Sequence, residues 1–294
     1  MKKKFFAMAS IKSSAAYTYA ALESFFKNTQ LAPRDSFMLI DNDGSLDRQK
    51  LQPYEGIEYR RNNWPRSFAA NLNQAMESAS EKGADLYFLN NDLIFSQEWL
   101  TAVEHAGDTV AIPASNAQFT YRAGPFQLHP FMDLDDYLGK ESYFEAIAAA
   151  HRRENRGFRP CYRAPYFCVK IPQAVYDRVG QLDERFGAGG GEDMDYSIRL
   201  LQHGFQLGHV LDSFVLHFQG KSTWRGNETL QETRHRNAAY LAAFEHKWGH
   251  VLTGLFLLGD KTALTAHPEA AFDLSKGAYR QAIERLMPKH QQAT

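Results

Sequence analysis

Two adjacent carboxylates, Glu192 and Asp193, directly follow Gly187-Ala188-Gly189-Gly190-Gly191. Four glycines in five positions cost ordering entropy, but they let backbone such as that of Gly190 and Gly191 approach a ligand closely. Two acids that open a helix sit where the dipole favours their ionised forms. A carboxylate held there can act as a general base toward a hydroxyl. The same residues would also serve as an acidic helix start behind a flexible link. A second group is Asn90-Asn91-Asp92, placed where an apolar run ends. Hard divalent cations take oxygen ligands, and a diphosphate brings more oxygens, so one or two protein ligands suffice. Asn and Asp also favour plain turns. Asp41-Asn42-Asp43-Gly44-Ser45 is open to the same two readings: Asp41 could accept hydrogen bonds from a nucleobase or ribose, or the segment could be a tight turn. His217, before Gln219-Gly220-Lys221-Ser222, could ligate a metal through a ring nitrogen or be a structural histidine.

The pattern around these residues says which elements must carry them. Phe5 to Ala9, Phe37 to Ile40, Leu86 to Leu89 and Thr109 to Ile112 read as short strands, the last stopping at Pro113. Between them Tyr17, Ala21, Leu22, Phe25 and Phe26 share one helical face, with Ser13 and Ser14 as cap candidates. Phe68, Leu72, Ala75, Met76 and Ala79 share another, with Gly83 as the stop. Strands separated by helices imply crossovers and a mostly parallel sheet, whose ligands bind beyond the carboxyl ends of its strands. Both acidic turns lie at such ends. Residues 116–160 read as an inserted segment over that face, with a helix around Tyr143 to Arg152. Tyr166 to Ile171 is the next strand, Val175 to Val179 a short helix, Asp193 to His203 a clear helix, and Val210 to His217 extended again. After Thr223 the chain reads as helical.

A chain of 294 residues with 44% hydrophobic and 23% charged residues can bury a large core without a disulfide or metal staple. Its net charge of -1 gives no global field for a nucleic acid, so no specific nucleic-acid partner is expected. Cys161 and Cys168 match no zinc or redox spacing and read as reduced thiols of a cytoplasmic protein. The start Met1-Lys2-Lys3-Lys4-Phe5 is basic, but Ser10, Lys12 and Ser13 break the apolar stretch behind it, which suits a first strand better than a signal peptide.

In order and spacing these pieces resemble the family 2 glycosyltransferases of the GT-A fold, most closely bacterial rhamnosyltransferase-like polysaccharide transferases. The matching segments are Ile40 to Ser45, Asn62 to Asn73, Phe88 to Asp92, Val179 to Phe186, Glu192 to Asp195, Arg199 with Gly204, His217 with Gly220 and Ser222, and Lys247-Trp248-Gly249. The resemblance implies a GT-A catalytic domain over residues 1–222, with 116–160 as an acceptor-side insertion, and a helical extension over 223–294. It implies an inverting enzyme that moves a sugar from a nucleoside-diphosphate donor, UDP-linked by default or dTDP-rhamnose, to a saccharide or lipid-linked saccharide. Asp41, Asn42, Asp43, Asn71, Asn90, Asn91, Gly190 and Gly191 would face the donor. Asp92 and His217 would hold Mn2+ or Mg2+. Asp193 would be the base, and Glu192 would place a sugar. The setting implied is bacterial surface polysaccharide synthesis in the cytoplasm, with peripheral contact at the inner face of the membrane. The sequence departs from the family in Ser10-Ile11-Lys12 after the first strand, in Asn90 where an acid is common, and in glycines where an aromatic pair usually precedes the Glu-Asp.

Two other readings compete. A sugar-phosphate nucleotidyltransferase would need a Gly-rich, Arg/Lys-bearing phosphate loop after Phe5 to Ala9, and none is present. A catalytically silent sugar- or nucleotide-binding module would be expected to lose Asp92 or Asp193, and both are retained. Aromatics in the insertion (Phe119, Tyr121, Phe126, Tyr137, Tyr143 and Phe144) and just after it (Tyr162, Tyr166 and Phe167) could stack on sugars or form core. The run Arg152, Arg153, Arg156, Arg159 and Arg163 could meet a phosphorylated acceptor or form a solvated face.

Overall fold

The computed structural model describes residues 2–54, 56–187, 189–221 and 229–288. Ala188, Ser222 and the boundary expected at 222/223 lie outside the described residues. The strands are β1 (Lys3–Ser10), β2 (Ser36–Asp41), β3 (Ile57–Arg61), β4 (Ala84–Asn90), β5 (Leu93–Phe95), β6 (Val110–Ser115), β7 (Tyr121–Ala123), β8 (Phe126–Leu128), β9 (Phe158–Pro160), β10 (Cys168–Ile171) and β11 (Leu207–His217). The helices are α1 (Ala15–Asn28), α2 (Phe68–Glu81), α3 (Trp99–Glu104), α4 (Leu134–Tyr137), α5 (Glu141–Glu154), α6 (Gln173–Val179), α7 (Glu192–Gln202), α8 (Leu230–Leu252), α9 (Pro268–Ser275) and α10 (Tyr279–Leu286).

The central sheet runs β3-β2-β1-β4-β10-β6-β11-β5, with β9 added on β11. The strands β3, β2, β1, β4, β6 and β11 point one way, and β10, β5 and β9 run against them. The fold is therefore the α/β class expected, a mostly parallel sheet flanked by helices. β1, β2 and β4 are buried along almost their whole length, as strands covered on both faces must be. Phe6, Phe25, Phe37 and Phe95 pack edge-on and tilted around one another at the heart of the core, each fully buried. Each such side chain contributes roughly 1.5–3 kcal/mol by leaving water. Ser67 caps α2 by accepting the Ala70 N–H at 3.1 Å, and α2 lays Leu72, Ala75 and Ala79 on β1 and β4.

β6 does not stop at Pro113 as its sequence suggests; it continues to Ser115. β10 meets β6 only at Lys170 and Ala111, so by Pro113 the strand has one neighbour left and tolerates a residue with no N–H. The insertion builds a second small core of its own. Phe126, Phe144 and Tyr137 bury against Phe214 and Phe218, so these rings serve packing. The arginine run does not form one patch: Arg152 turns to Ser96 and Glu98, whereas Arg163 reaches the Leu257 carbonyl. Both cysteines are free thiols. Among the described residues no helix is long and apolar enough to cross a membrane.

Candidate active site

The parallel strands deliver their ends to one edge, and most of the candidate residues gather there. Beyond that edge lies a cleft of about 310 Å³, lined among others by Asn90, Gly189, Gly190, Gly191, Glu192, Asp193, His217 and Gly220. Glu192 and Asp193 occupy the first turn of α7, as the glycine-acid junction predicts. Glu192 is buried, and its Oε2 accepts the Gly190 N–H at 2.5 Å. Asp193 is half-buried, and its Oδ1 accepts the Met194 N–H at 2.9 Å. Burial raises both carboxyls above their ordinary range. For Glu192 the charge of Asp193 adds to the rise, while backbone N–H groups and Arg236 oppose it. For Asp193 the opposing influences are backbone N–H groups and Arg163. Two adjacent acids in such a place titrate as a unit. A carboxylate with a raised pKa is a better proton acceptor near neutrality than an exposed one.

Asp92 lies just beyond β4 and is fully buried; His217 ends β11. Their atoms Oδ1 and Nε2 are 3.4 Å apart. Asp92 Oδ2 accepts the Lys221 N–H at 3.0 Å, and the Asp92 carbonyl accepts that of Phe218 at 3.0 Å. The His217 ring stacks on Phe167, with centroids 4.6 Å apart and planes at 16°, and Asn116 holds its backbone through both N–H and C=O. Among the described residues the buried His217 Nε2 makes no hydrogen bond, and it faces the Asp92 carboxylate. A carboxylate and an imidazole so arranged suit a divalent cation that takes its remaining ligands from phosphate or water. Among the described residues no three His, Cys, Asp or Glu side chains cluster as a metal site, so the pair would act with ligand oxygens.

No protein-family model matches the sequence, and no curated protein matches it. Solved structures do match. The crystal structure of GalNAc-T7 with UDP, GalNAc and Mn2+ superposes with a TM-score of 0.58 at 14% identity, over 99% of this chain and 56% of that one. The chain thus spans little more than half the length of that protein. The mannosyltransferase PcManGT from Pyrobaculum calidifontis, in complex with GDP-Man and Mn2+, gives a TM-score of 0.51 at 13% identity, over 95% of this chain and 85% of that one. The chain has the GT-A fold.

Within that fold the remaining candidates divide. Asn90 is half-buried and lines the cleft, its N–H bonded to the Phe167 carbonyl at 2.7 Å. Asn91 turns inward, donating to Ser14 and Thr18 at 2.7 Å each, and so ties the end of β4 to the start of α1. Asp41 is fully buried and accepts from the N–H groups of Ser45 and Leu46 and from the Tyr59 hydroxyl. Its carboxylate pins the turn after β2. Asn42 and Asn71 belong to a buried amide network: Asn62 donates to both, and Asn42 also exchanges bonds with the Arg66 backbone. Asp43 sits in the same turn and accepts from Ser45. The insertion contributes none of the residues lining the cleft among those described. Of the aromatic candidates, Tyr166 and Phe167 do line it. Sequence reasoning gave no site role to Phe68, Arg236, Tyr240 or Leu257, which line it as well. Only Arg236 and Tyr240 carried a readable signal, as polar and aromatic residues four apart on a predicted helix.

Proposed function

We propose that this chain is a metal-dependent, inverting glycosyltransferase that takes a sugar from a nucleoside-diphosphate donor. The observation that carries the proposal is one cleft at the carboxyl edge of a GT-A sheet, lined by a carboxyl pair with raised pKa and by His217, whose Nε2 lies 3.4 Å from the carboxylate of Asp92, a fully buried residue that does not itself line the cleft. The neighbours in fold were solved with UDP or GDP-Man and with Mn2+, which supports a donor and a cation of these kinds here. Asp193 takes the proton of an acceptor hydroxyl as that oxygen bonds to the anomeric carbon. The bond from that carbon to the diphosphate oxygen breaks, and its electron pair leaves with the diphosphate. One displacement from the opposite face inverts the centre. Glu192, locked by Gly190, borders the sugar. Asp92 and His217 would hold the cation, Mn2+ or Mg2+, which would supply positive charge beside the diphosphate. Asp41, Asn42 and Asn71 act on the donor through the loops they fix, and Asn90 acts from the cleft wall. A UDP-linked donor, with dTDP-rhamnose as second choice, and a saccharide or lipid-linked acceptor of a bacterial surface polysaccharide complete the reading.

The test is thermal shift with UDP, GDP and dTDP, each with and without Mn2+. One of the three should stabilise the protein, and only with the metal. Ligand at 100 times its Kd adds about 2.7 kcal/mol, well within the range of the method. If no diphosphate stabilises the protein with either Mn2+ or Mg2+, the proposal fails.

A further inference from the structure

The glycine run before Glu192 has more conformational freedom than a catalytic loop can tolerate. One face of α8 removes that freedom. Arg236, Tyr240, Phe244 and Trp248 recur every four residues and so share a helical stripe. They follow the chain from the glycine strap into α7 in order. Arg236 Nη1 donates to the Gly189 carbonyl at 3.0 Å. The Tyr240 ring lies so close to Gly190 that a Cβ there would fall 2.5 Å from it. Phe244 stands against Gly191, where an added Cβ would be 3.2 Å away. Trp248 Nε1 donates to Asp195 Oδ1 at 2.8 Å. The glycines are thus required twice, by their positive φ of 143° at Gly190 and 91° at Gly191 and by the rings pressed on them.

We propose that this stripe of α8 is a positioning element of the active site, with Arg236 and Tyr240 as the residues that hold the Gly189–Gly191 strap and thereby set Glu192 and Asp193 in the cleft. The catalytic meaning rests on the function proposed above; the positioning itself does not. The groups that face Glu192 and Asp193 are each other on α7, Tyr166 before β10, Arg163 beside Leu257, Arg236 and Tyr240 on α8, and His217 on β11 across the cleft. Of these, Arg236 holds the Glu192 carboxyl down.

Two measurements on the whole chain test the inference without any substrate. Amide hydrogen exchange at Gly189 to Glu192 should accelerate on the order of tenfold in Tyr240→Ala, with the melting temperature of the protein nearly unchanged. Carboxyl-carbon NMR should show the Glu192–Asp193 pair titrating on the order of one pH unit higher in Arg236→Gln, and near its original midpoint in Arg236→Lys. An unmoved midpoint in Arg236→Gln, or unaltered exchange in Tyr240→Ala, overturns the inference. Absence of metal-dependent stabilisation of the wild-type protein by UDP, GDP or dTDP would instead strike the proposed function, and the exchange and titration results would still decide the role of α8.

Discussion

Asp193→Asn should produce a protein that has lost its activity and gained stability. The side chain lines the cleft, and its carboxyl is held above its ordinary pKa chiefly by burial. Ionising it in the folded state therefore costs free energy, about 1.4 kcal/mol for each pH unit of the rise. The unfolded chain ionises the same group freely near pH 4. Below that pH the group is protonated in both states and has no effect on folding. Between the unfolded and folded pKa values stability falls as pH rises, and above the folded value the full penalty applies. Asparagine keeps an oxygen to accept the Met194 N–H and carries no charge. It forfeits the favourable dipole at the start of α7, a counter-effect of about 0.3–1 kcal/mol. The balance favours the variant at pH 8, by about 2–4 °C in Tm for each net kcal/mol. Its advantage should shrink toward pH 5. Turnover should fall by about 10²–10⁴-fold, the usual contribution of a general base. Scanning fluorimetry at pH 5 and pH 8 gives the first result, and release of nucleoside diphosphate from the donor gives the second. An Asp193→Asn variant that turns over at the wild-type rate removes Asp193 from the role of base. One that melts lower at pH 8 contradicts the account of its burial.

Three further outcomes are expected. His217→Ala removes the ring nitrogen that faces Asp92, so Mn2+-dependent binding of the nucleoside diphosphate should weaken roughly tenfold or more, measured by calorimetry; metal dependence identical to wild type would exclude the pair as the cation site. Asp195→Asn removes the buried carboxylate that Arg199 and Lys247 approach at 2.8 and 2.6 Å, leaving Lys247 its pair with Asp183, and should cost about 3 kcal/mol in urea unfolding; an unchanged midpoint would show that α8 is not tied to α7 through this carboxylate. Asn42→Ala removes one of the two acceptors of the Asn62 amide and the side-chain acceptor of the Arg66 N–H, so a loss of about 1–3 kcal/mol should appear in the same assay.

The elements legible in the sequence were those whose pattern is local. α7 was readable from Gly191, two acids and the apolar spacing of Met194, Ile198 and Leu201, because the chemistry that starts and buries a helix lies within a few turns. β1, β2 and β4 were readable as apolar runs bounded by polar turns. β5 and β9, three residues each, carry too little periodicity to be seen and exist because β11 supplies their partners. The cleft residues Asn90, Glu192, Asp193 and His217 were found through their types and their places at element ends. Asp41 shows the limit of that logic. A carboxylate at a strand end looks free in sequence, yet the Tyr59 that bonds it comes from β3, and only the β2–β3 pairing brings the two together. The tryptophan of Lys247-Trp248-Gly249 is likewise explained only in three dimensions, by the buried carboxylate of Asp195.

The two least economical features of the chain sit next to each other, and each accounts for the other. Four glycines in a row of five weaken the backbone where precision matters most, and two adjacent acids, Glu192 buried and Asp193 half-buried, sit where their charges repel. A loop with side chains could have held itself, but side chains at Gly190 and Gly191 would meet the rings of Tyr240 and Phe244. Stiffness is therefore supplied from outside by a helix more than forty residues further along the chain, and the loop keeps only backbone in the cleft. Backbone N–H groups, such as that of Gly190 toward Glu192, can then face the acids at close range and hold them ionisable despite their burial. Deleting the C-terminal helices should for this reason abolish catalysis even if the sheet still folds, because the acids would lose the surface that orients them.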